Sequence, residues 1–305
     1  MDTLSSPTPA SAAGAAASAA SAADGPVFDE GSELHAPELY RPTSEAWQVE
    51  TLADIGPAEI EFYRENGYLS VRRAFTPAEV EAALAGLASL VMGENPAFKG
   101  VTFEAAARER LASLSLAERM DAIRKLWQFV GYEPRLKAIS HHAALWSVVR
   151  RLLGEREPEM FQDMALLKPP RIGREKPWHQ DHAYFDYPLD APIVGVWIAL
   201  DEATVDNGCM QLLPGRHRDG PMIHFKRRDW QLCDAAVLGQ ESVAAPLPPG
   251  GLLLFDGKLP HGTPHNTSPK RRRALQFHYA PNDIHHAPPE VRLGAFGNEG
   301  KNVTC

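Results

Sequence analysis

From about residue 160 the chain is cut into short β-rich runs separated by turns that carry proline and glycine. The runs are MFQDMALLK, PWHQDHAYFDY, IVGVWIALDEA, CMQLLPG, GLLLFDG and RRALQFHYA. Many short strands with turn signals between them specify a sandwich or barrel, because a parallel α/β sheet needs a helix after each strand. The preceding part reads differently. Residues 57–66 (PAEIEFYREN) suit a short helix stopped by Gly67, and 68–75 (YLSVRRAF) suit a strand. Thr76-Pro77-Ala78-Glu79 then matches a capping box with proline at the first helical position. Residues 103–153 carry helical periodicity, including LAERMDAIRKLWQFV and HHAALWSVVRRLLG. Helices first and strands after predict a mainly β fold with flanking α-helices on one side of an antiparallel core. No linker interrupts this order, so residues 27–305 are expected to form one domain.

The remaining composition excludes several classes. A chain of 305 residues buries an adequate core without a disulfide staple or structural metal. The net charge of −8 argues against a nucleic-acid binder that relies on a general positive field. No run of eighteen apolar residues exists, so no membrane-spanning helix is expected. Three cysteines (Cys209, Cys233, Cys305) are too few and too scattered for a disulfide framework or zinc ribbon, and a reducing cytoplasm is the default compartment. Residues 1–26 contain ten alanines and five serines, with no Lys or Arg before Arg41. They match neither a secretory signal nor a transit peptide and are expected to be a disordered tail.

His179-Gln180-Asp181 carries the first chemical signal. On an extended strand residues i and i+2 share a face, so one imidazole and one carboxylate project together. His261 is the best third donor. It follows the buried run Gly251–Asp256 and sits in the turn Leu259-Pro260-His261-Gly262-Thr263. Two His and one carboxylate leave three coordination positions open, which is the donor set of non-haem Fe(II) oxygenases. Zinc hydrolases with the same donors exist, so ligand type alone does not choose the metal. His141-His142 and His285-His286 need no metal: the first pair is expected on a helix with its rings pointing apart, the second in a solvated Pro-rich segment.

Arg272 lies eleven residues past His261, within Lys270-Arg271-Arg272-Arg273. On the strand that follows, Arg272, Ala274, Gln276 and His278 share one small, polar face suited to lining a cavity. Arg273, Leu275, Phe277 and Tyr279 share the other. A fixed guanidinium on the first face is able to hold a carboxylate in a bidentate pair. Between Ile193 and Leu200, Trp197 shares its face with Gly195 and Ala199, which fits a cavity wall as well as it fits core packing.

The HxD pair, the distal His-Gly-Thr, the Asn-x-Ser after it and the arginine eleven residues past the histidine together resemble the phytanoyl-CoA dioxygenase family. The resemblance extends over roughly 57–280 and is firmest in LLKPPRIGREKPWHQDHAYF, VGVWIALDEATVDNGCMQLLPGRHRDG and GGLLLFDGKLPHGTPHNTSPKRRRALQFHYAP. It implies a double-stranded β-helix (jelly-roll, cupin-like) core and an Fe(II)/2-oxoglutarate-dependent dioxygenase that consumes O2 and releases succinate and CO2. It also implies that His179, Asp181 and His261 are iron ligands and catalytic. Arg272 then binds the far carboxylate of 2-oxoglutarate, with Thr263 near it, Trp197 and Met164 lining the co-substrate pocket, and Lys125 matching a helical lysine that contacts the co-substrate. The arginine run leaves Arg273 as the alternative if the strand register shifts by one. Family halogenases carry Gly or Ala at the Asp181 position, so the carboxylate here implies hydroxylation or a related oxidation rather than halogenation.

The substrate is a small molecule whose identity the family does not choose. Trp178, Tyr184, Phe185 and Tyr187 flank the HxD pair as an aromatic rim or as packing residues, and Gln162 is a polar contact candidate. His224, Lys226, Arg227, Arg228 and Trp230 lie where a lid belongs. A basic lid suits an acidic or CoA-linked substrate; a solvated surface loop is the plain alternative. Two other readings stand beside the oxygenase: a cupin-like divalent-metal isomerase or hydrolase that does not use 2-oxoglutarate, and a non-catalytic sensor. Neither nucleic acid nor membrane is an expected partner, and oligomeric state has no signature in the sequence.

Overall fold

The computed structural model describes residues 26–29 and 33–297. The expected disordered tail lies outside these residues, apart from Pro26. The chain opens with short strands β1 (Val27–Asp29), β2 (Ser44–Glu45) and β3 (Gln48–Val49), then helix α1 (Pro57–Asn66), β4 (Tyr68–Val71) and α2 (Pro77–Met92). Gly67 ends α1 with φ 78°, a left-handed conformation that glycine adopts without a Cβ penalty. Thr76 and Glu79 close the expected capping box on α2.

The next stretch departs from the helical expectation. It contains β5 (Val101–Glu104), a single turn α3 (Leu116–Arg119) and β6 (Ile123–Trp127) before α4 (Pro134–Ser140) and α5 (Ala143–Leu152). Ile123 to Trp127 reads as helix by spacing, but the segment pairs with β5 on one side and the next strand on the other. Two ladders of hydrogen bonds outweigh a helical propensity that differs by fractions of a kcal/mol per residue. His141 and His142 sit at the junction of α4 and α5 rather than inside one helix.

The β-rich half follows the sequence expectation. Its strands are β7 (Pro158–Lys168), β8 (Lys176–His179), β9 (Val194–Ala199), β10 (Met210–Leu212), β11 (His224–Lys226), β12 (Trp230–Leu232), β13 (Val243–Ala245), β14 (Leu252–Asp256), β15 (His261–Thr263) and β16 (Arg272–Pro281). One turn, α6 (Asp234–Val237), precedes β13, and α7 (Pro289–Phe296) follows β16. A nine-stranded sheet runs β1-β5-β6-β7-β16-β9-β14-β4-β3, and a five-stranded sheet runs β2-β13-β10-β15-β8. Strands β11 and β12 pair separately as a hairpin.

The two faces of the large sheet have different duties. Leu69, Val196, Ile198, Leu254, Leu275 and Phe277 face outward into the principal core beneath the helices, where Val80, Ala83, Leu87, Leu136 and Val149 meet them. Trp197, Ala199, Leu253, Phe255 and Ala274 face inward against Met210, Leu212, Ala244 and Ala245 of the small sheet. Both sheets therefore enclose one interior, the double-stranded β-helix. Antiparallel register orders the inner face of the large sheet into transverse rows. One row runs Leu253, Trp197, Gln276, Met164, Trp127; the next runs Phe255, Gly195, His278, Gln162. Gly195 leaves no void beside Trp197, because a Cβ there would lie 2.3 Å from the Phe255 ring. Among the described residues no helix is long and apolar enough to cross a membrane. Cys209 is buried with a free thiol.

Candidate metal centre

His179 and His261 stand opposite each other on β8 and β15, with ring centroids 4.2 Å apart. Strand β8 ends at His179, so Asp181 is not on the pleat. It opens a 3-10 turn, Asp181–Tyr184, and this turn swings the carboxylate beside the imidazoles. The ligand atoms of His179, Asp181 and His261 all lie within 4.8 Å of one another, and the three residues are buried. Gln180 locks the segment between them: its amide donates to the carbonyls of Gly220 (2.9 Å) and Lys258 (2.6 Å) and accepts from the Met222 N–H (2.8 Å).

The tautomers follow from the carbonyls. His179 Nδ1–H donates to Pro177 O at 2.7 Å, and His261 Nδ1–H donates to Leu259 O at 2.9 Å. Each Nε2 is therefore a lone pair. His179 Nε2 lies 3.1 Å from Asp181 Oδ1, and His261 Nε2 lies 3.6 Å from Asp181 Oδ2. Lone pairs and a carboxylate converging without a proton between them are favourable only around a cation, and these residues fit one. Burial and the neighbouring His179 push the His261 imidazole down to about 3. Burial alone would raise the Asp181 carboxyl, but the histidines around it, with His278 donating to Oδ2 at 2.7 Å, outweigh burial and hold it well below the usual range. A neutral imidazole and an ionised carboxylate are the states that metal binding requires.

Two further side chains reach the carboxylate. His278 Nε2 lies 2.7 Å from Asp181 Oδ2, and Gln276 Nε2 donates to the same oxygen at 3.1 Å. The sequence reading put both on the polar face of their strand but gave them no role. The signal was their alternation with Arg272 on an otherwise apolar strand.

Arg272 lies on that same face, fully buried, with its guanidinium 5.3 Å above the Trp197 ring. It donates from Nη1 to Leu166 O (3.0 Å); Nε has no partner, and neither does Trp197 Nε1. No acidic residue among the described ones pairs with it, and burial, with Arg124 nearby, pushes its pKa down to about 9. Arg273 points to the opposite face and forms a two-pronged pair with Asp201, Nε to Oδ2 at 2.8 Å and Nη2 to Oδ1 at 2.7 Å. The register question is thus answered by geometry: the inward arginine is Arg272. Thr263 pairs with Lys176 across β8 and β15. Met164 sits in register between Gln276 and Trp127. Lys125 is on strand β6, not on a helix, opposite Leu166, and burial followed by the charge of Lys176 lowers its pKa.

The substrate candidates separate. Trp178 is turned away from the metal centre: it stacks on Tyr40 (centroids 5.7 Å apart), donates from Nε1 to Leu39 O (3.0 Å) and packs with Leu213 and Leu232. Strand alternation next to His179 is the reason, and the rim reading of Trp178 is corrected. Tyr184 and Phe185 stay close, with ring centroids 5.8 Å from His179 and 4.8 Å from His278 respectively. Gln162 lies opposite His278, and its Oε1 is buried without a partner. Tyr187 packs with Phe185 and Ile193. The basic lid is a paired hairpin: Arg227 meets Glu33 and Asp234, Arg228 meets Glu175 and Asp234, and Lys176 meets Asp229. His224 accepts from Gln180 N at Nε2 (3.0 Å) and donates from Nδ1 to Met222 O (2.8 Å). Its charges are spent internally, and the argument for an acidic or CoA-linked substrate loses its footing.

Fold and donors together define a double-stranded β-helix protein with a buried two-histidine, one-carboxylate site. The chain belongs to the phytanoyl-CoA dioxygenase (PhyH) family, whose sequence profile matches residues 63–274. A phytanoyl-CoA dioxygenase domain-containing protein 1 of Danio rerio is 33% identical over 158 residues, 48% of this chain and 53% of that protein. A phytanoyl-CoA dioxygenase of Arabidopsis thaliana is 32% identical over 146 residues, 47% of this chain and 51% of that one. The chain thus spans about half the length of the curated relatives it matches. EvdO2 from Micromonospora carbonacea var. aurantiaca, crystallised with 2-oxoglutarate, superimposes with a TM-score of 0.60 at 26% identity, over 82% of this chain and all of its own. The alpha-ketoglutarate-dependent carbocyclase SnoK from nogalamycin biosynthesis shares the fold, with a TM-score of 0.62 at 22% identity over 86% of this chain and 97% of its own.

Proposed function

We propose that this protein is an Fe(II)/2-oxoglutarate-dependent dioxygenase that hydroxylates a small molecule. The observation that carries the reading is the pairing of a three-donor metal site with Arg272, a buried cation on the facing strand that lacks an anion. Family membership and the likeness to EvdO2 support it. Iron(II) and 2-oxoglutarate, when bound, supply the oxidation, with O2 consumed and succinate and CO2 released. His179, Asp181 and His261 hold the metal and leave three positions open. Arg272 anchors the distal carboxylate of the co-substrate by a charge-assisted fork and fixes its orientation. In this reading Trp197, which lies against that guanidinium, lines the co-substrate pocket with Met164 and Thr263, and Lys125 contacts the co-substrate. Asp181 occupies the position that a halide would need. Gln162, Tyr184 and Phe185 line the side where the substrate enters. The same reading takes residues 27–305 as one oxygenase domain, supported by N-terminal strands that pair into both sheets.

The test is an anaerobic titration of metal-free protein with Fe(II), then 2-oxoglutarate, read in the visible spectrum. A weak charge-transfer band that needs both additions supports the reading, and substrate-stimulated succinate formation then identifies the substrate. A folded, iron-loaded protein without the band overturns it in favour of a divalent-metal isomerase or hydrolase.

A further inference from the structure

We propose that His278 and Gln276 are positioning residues that force Asp181 to bind its metal through one oxygen only. The inference rests on the oxygenase reading and adds what sets the number of open coordination positions. Asp181 follows the small-sheet strand β8, whereas His278 and Gln276 project from β16 of the large sheet. Both donors meet one oxygen, Oδ2, at 2.7 and 3.1 Å. A carboxylate only accepts, so His278 must present Nε2–H, the opposite tautomer to His179 and His261. Its Nδ1 is buried without a partner, and its ring is held edge-on by Phe185 at 4.8 Å and Phe255 at 6.3 Å. His278 Nε2 and Gln276 Nε2 lie 3.4 Å apart, as two donors do when they share an acceptor.

Two donors occupy both lone-pair directions of Oδ2. Oδ1 is left for the cation, beside the bare Nε2 of His179. With Asp181 monodentate, an octahedral metal keeps three free positions. A bidentate Asp181 would leave two, enough to chelate a keto acid but not to admit O2 as well. The clamp therefore protects the open position and also ties the two sheets together at the metal.

The experiment compares wild type, His278→Leu, His278→Gln and Gln276→Leu as metal-free proteins. Each is titrated anaerobically with Co(II), reading affinity by calorimetry and coordination by the d–d absorption spectrum. Failure of wild type to bind Co(II) overturns the metal reading itself. If wild type binds, H278L is expected to bind about 10- to 100-fold more weakly, the usual cost of losing an outer-shell partner, with an altered d–d spectrum. H278Q, which returns an amide donor, is expected to recover most of both. A folded H278L with unchanged affinity and spectrum overturns the clamp. Where H278L does not fold by circular dichroism, Q276L carries the test, with the same spectral change expected and its absence overturning the inference.

Discussion

Arg272 and Trp197 meet inside the barrel, guanidinium over indole at 5.3 Å, each with a buried nitrogen that has no partner. Neither group is at ease there without a ligand. A buried cation lacking an anion is destabilising, and a buried N–H costs about 1–3 kcal/mol when unsatisfied. Sites of this kind sacrifice stability for recognition, and the consequence is measurable.

Arg272→Met should leave the ligand-free protein as stable as wild type or more so, read as Tm by calorimetry. The same variant should lose 2-oxoglutarate affinity by about 30- to 150-fold, on the scale of charged hydrogen bonds worth about 2–3 kcal/mol. Arg273→Met should do the reverse, lowering Tm by unpairing Asp201 and leaving 2-oxoglutarate binding intact. Equal effects of the two on binding would refute the assignment of the inward arginine.

Asp181→Ala should abolish the proposed 2-oxoglutarate-dependent turnover and weaken metal binding at least about a hundredfold, beyond the range for outer-shell losses. Retained activity with metal bound would remove Asp181 from the ligand set. Chelator treatment of wild type should give the same loss, restored by Fe(II).

His224 predicts a particular acid sensitivity. Burial pushes its folded pKa down to about 3, below the ordinary value of 6.5. The unfolded chain therefore binds the proton first, so stability is fully present above about pH 6.5 and falls as pH drops toward 3. The loss is on the order of a few kcal/mol. His224→Gln, which cannot take up the proton, should flatten Tm between pH 7 and pH 4. An unchanged slope would mean that other groups control the acid limb.

Trp178→Ala should cost about 3–5 kcal/mol of stability through the cavity it leaves. Trp178→Phe, milder in volume, should retain Fe(II) and 2-oxoglutarate binding. Gln162→Leu is the contrasting case: little change in Tm, and a raised KM for the substrate once that is known. A Trp178→Phe protein that folds normally but loses substrate affinity would restore Trp178 to the rim.

Much of this protein was legible before folding was considered. Short strands with Pro and Gly turns fixed the fold class, and the spacing His179, Asp181, His261, Arg272 identified the family. Period-two alternation put Arg272, Gln276 and His278 on one face and Arg273 on the other, because strand alternation is a local property of the backbone, while the choice of the inward arginine was left to the register. Tertiary structure decided the rest. It made Ile123–Trp127 a strand, since pairing with strands on both sides outweighs helical spacing, and so moved Lys125 off a helix. It turned Trp178 outward and paired the cations of the 224–230 hairpin with acids from distant segments. It brought His278 to Asp181 across 97 residues and two sheets. Contacts of that range depend on register and sheet packing, which no single stretch of sequence contains.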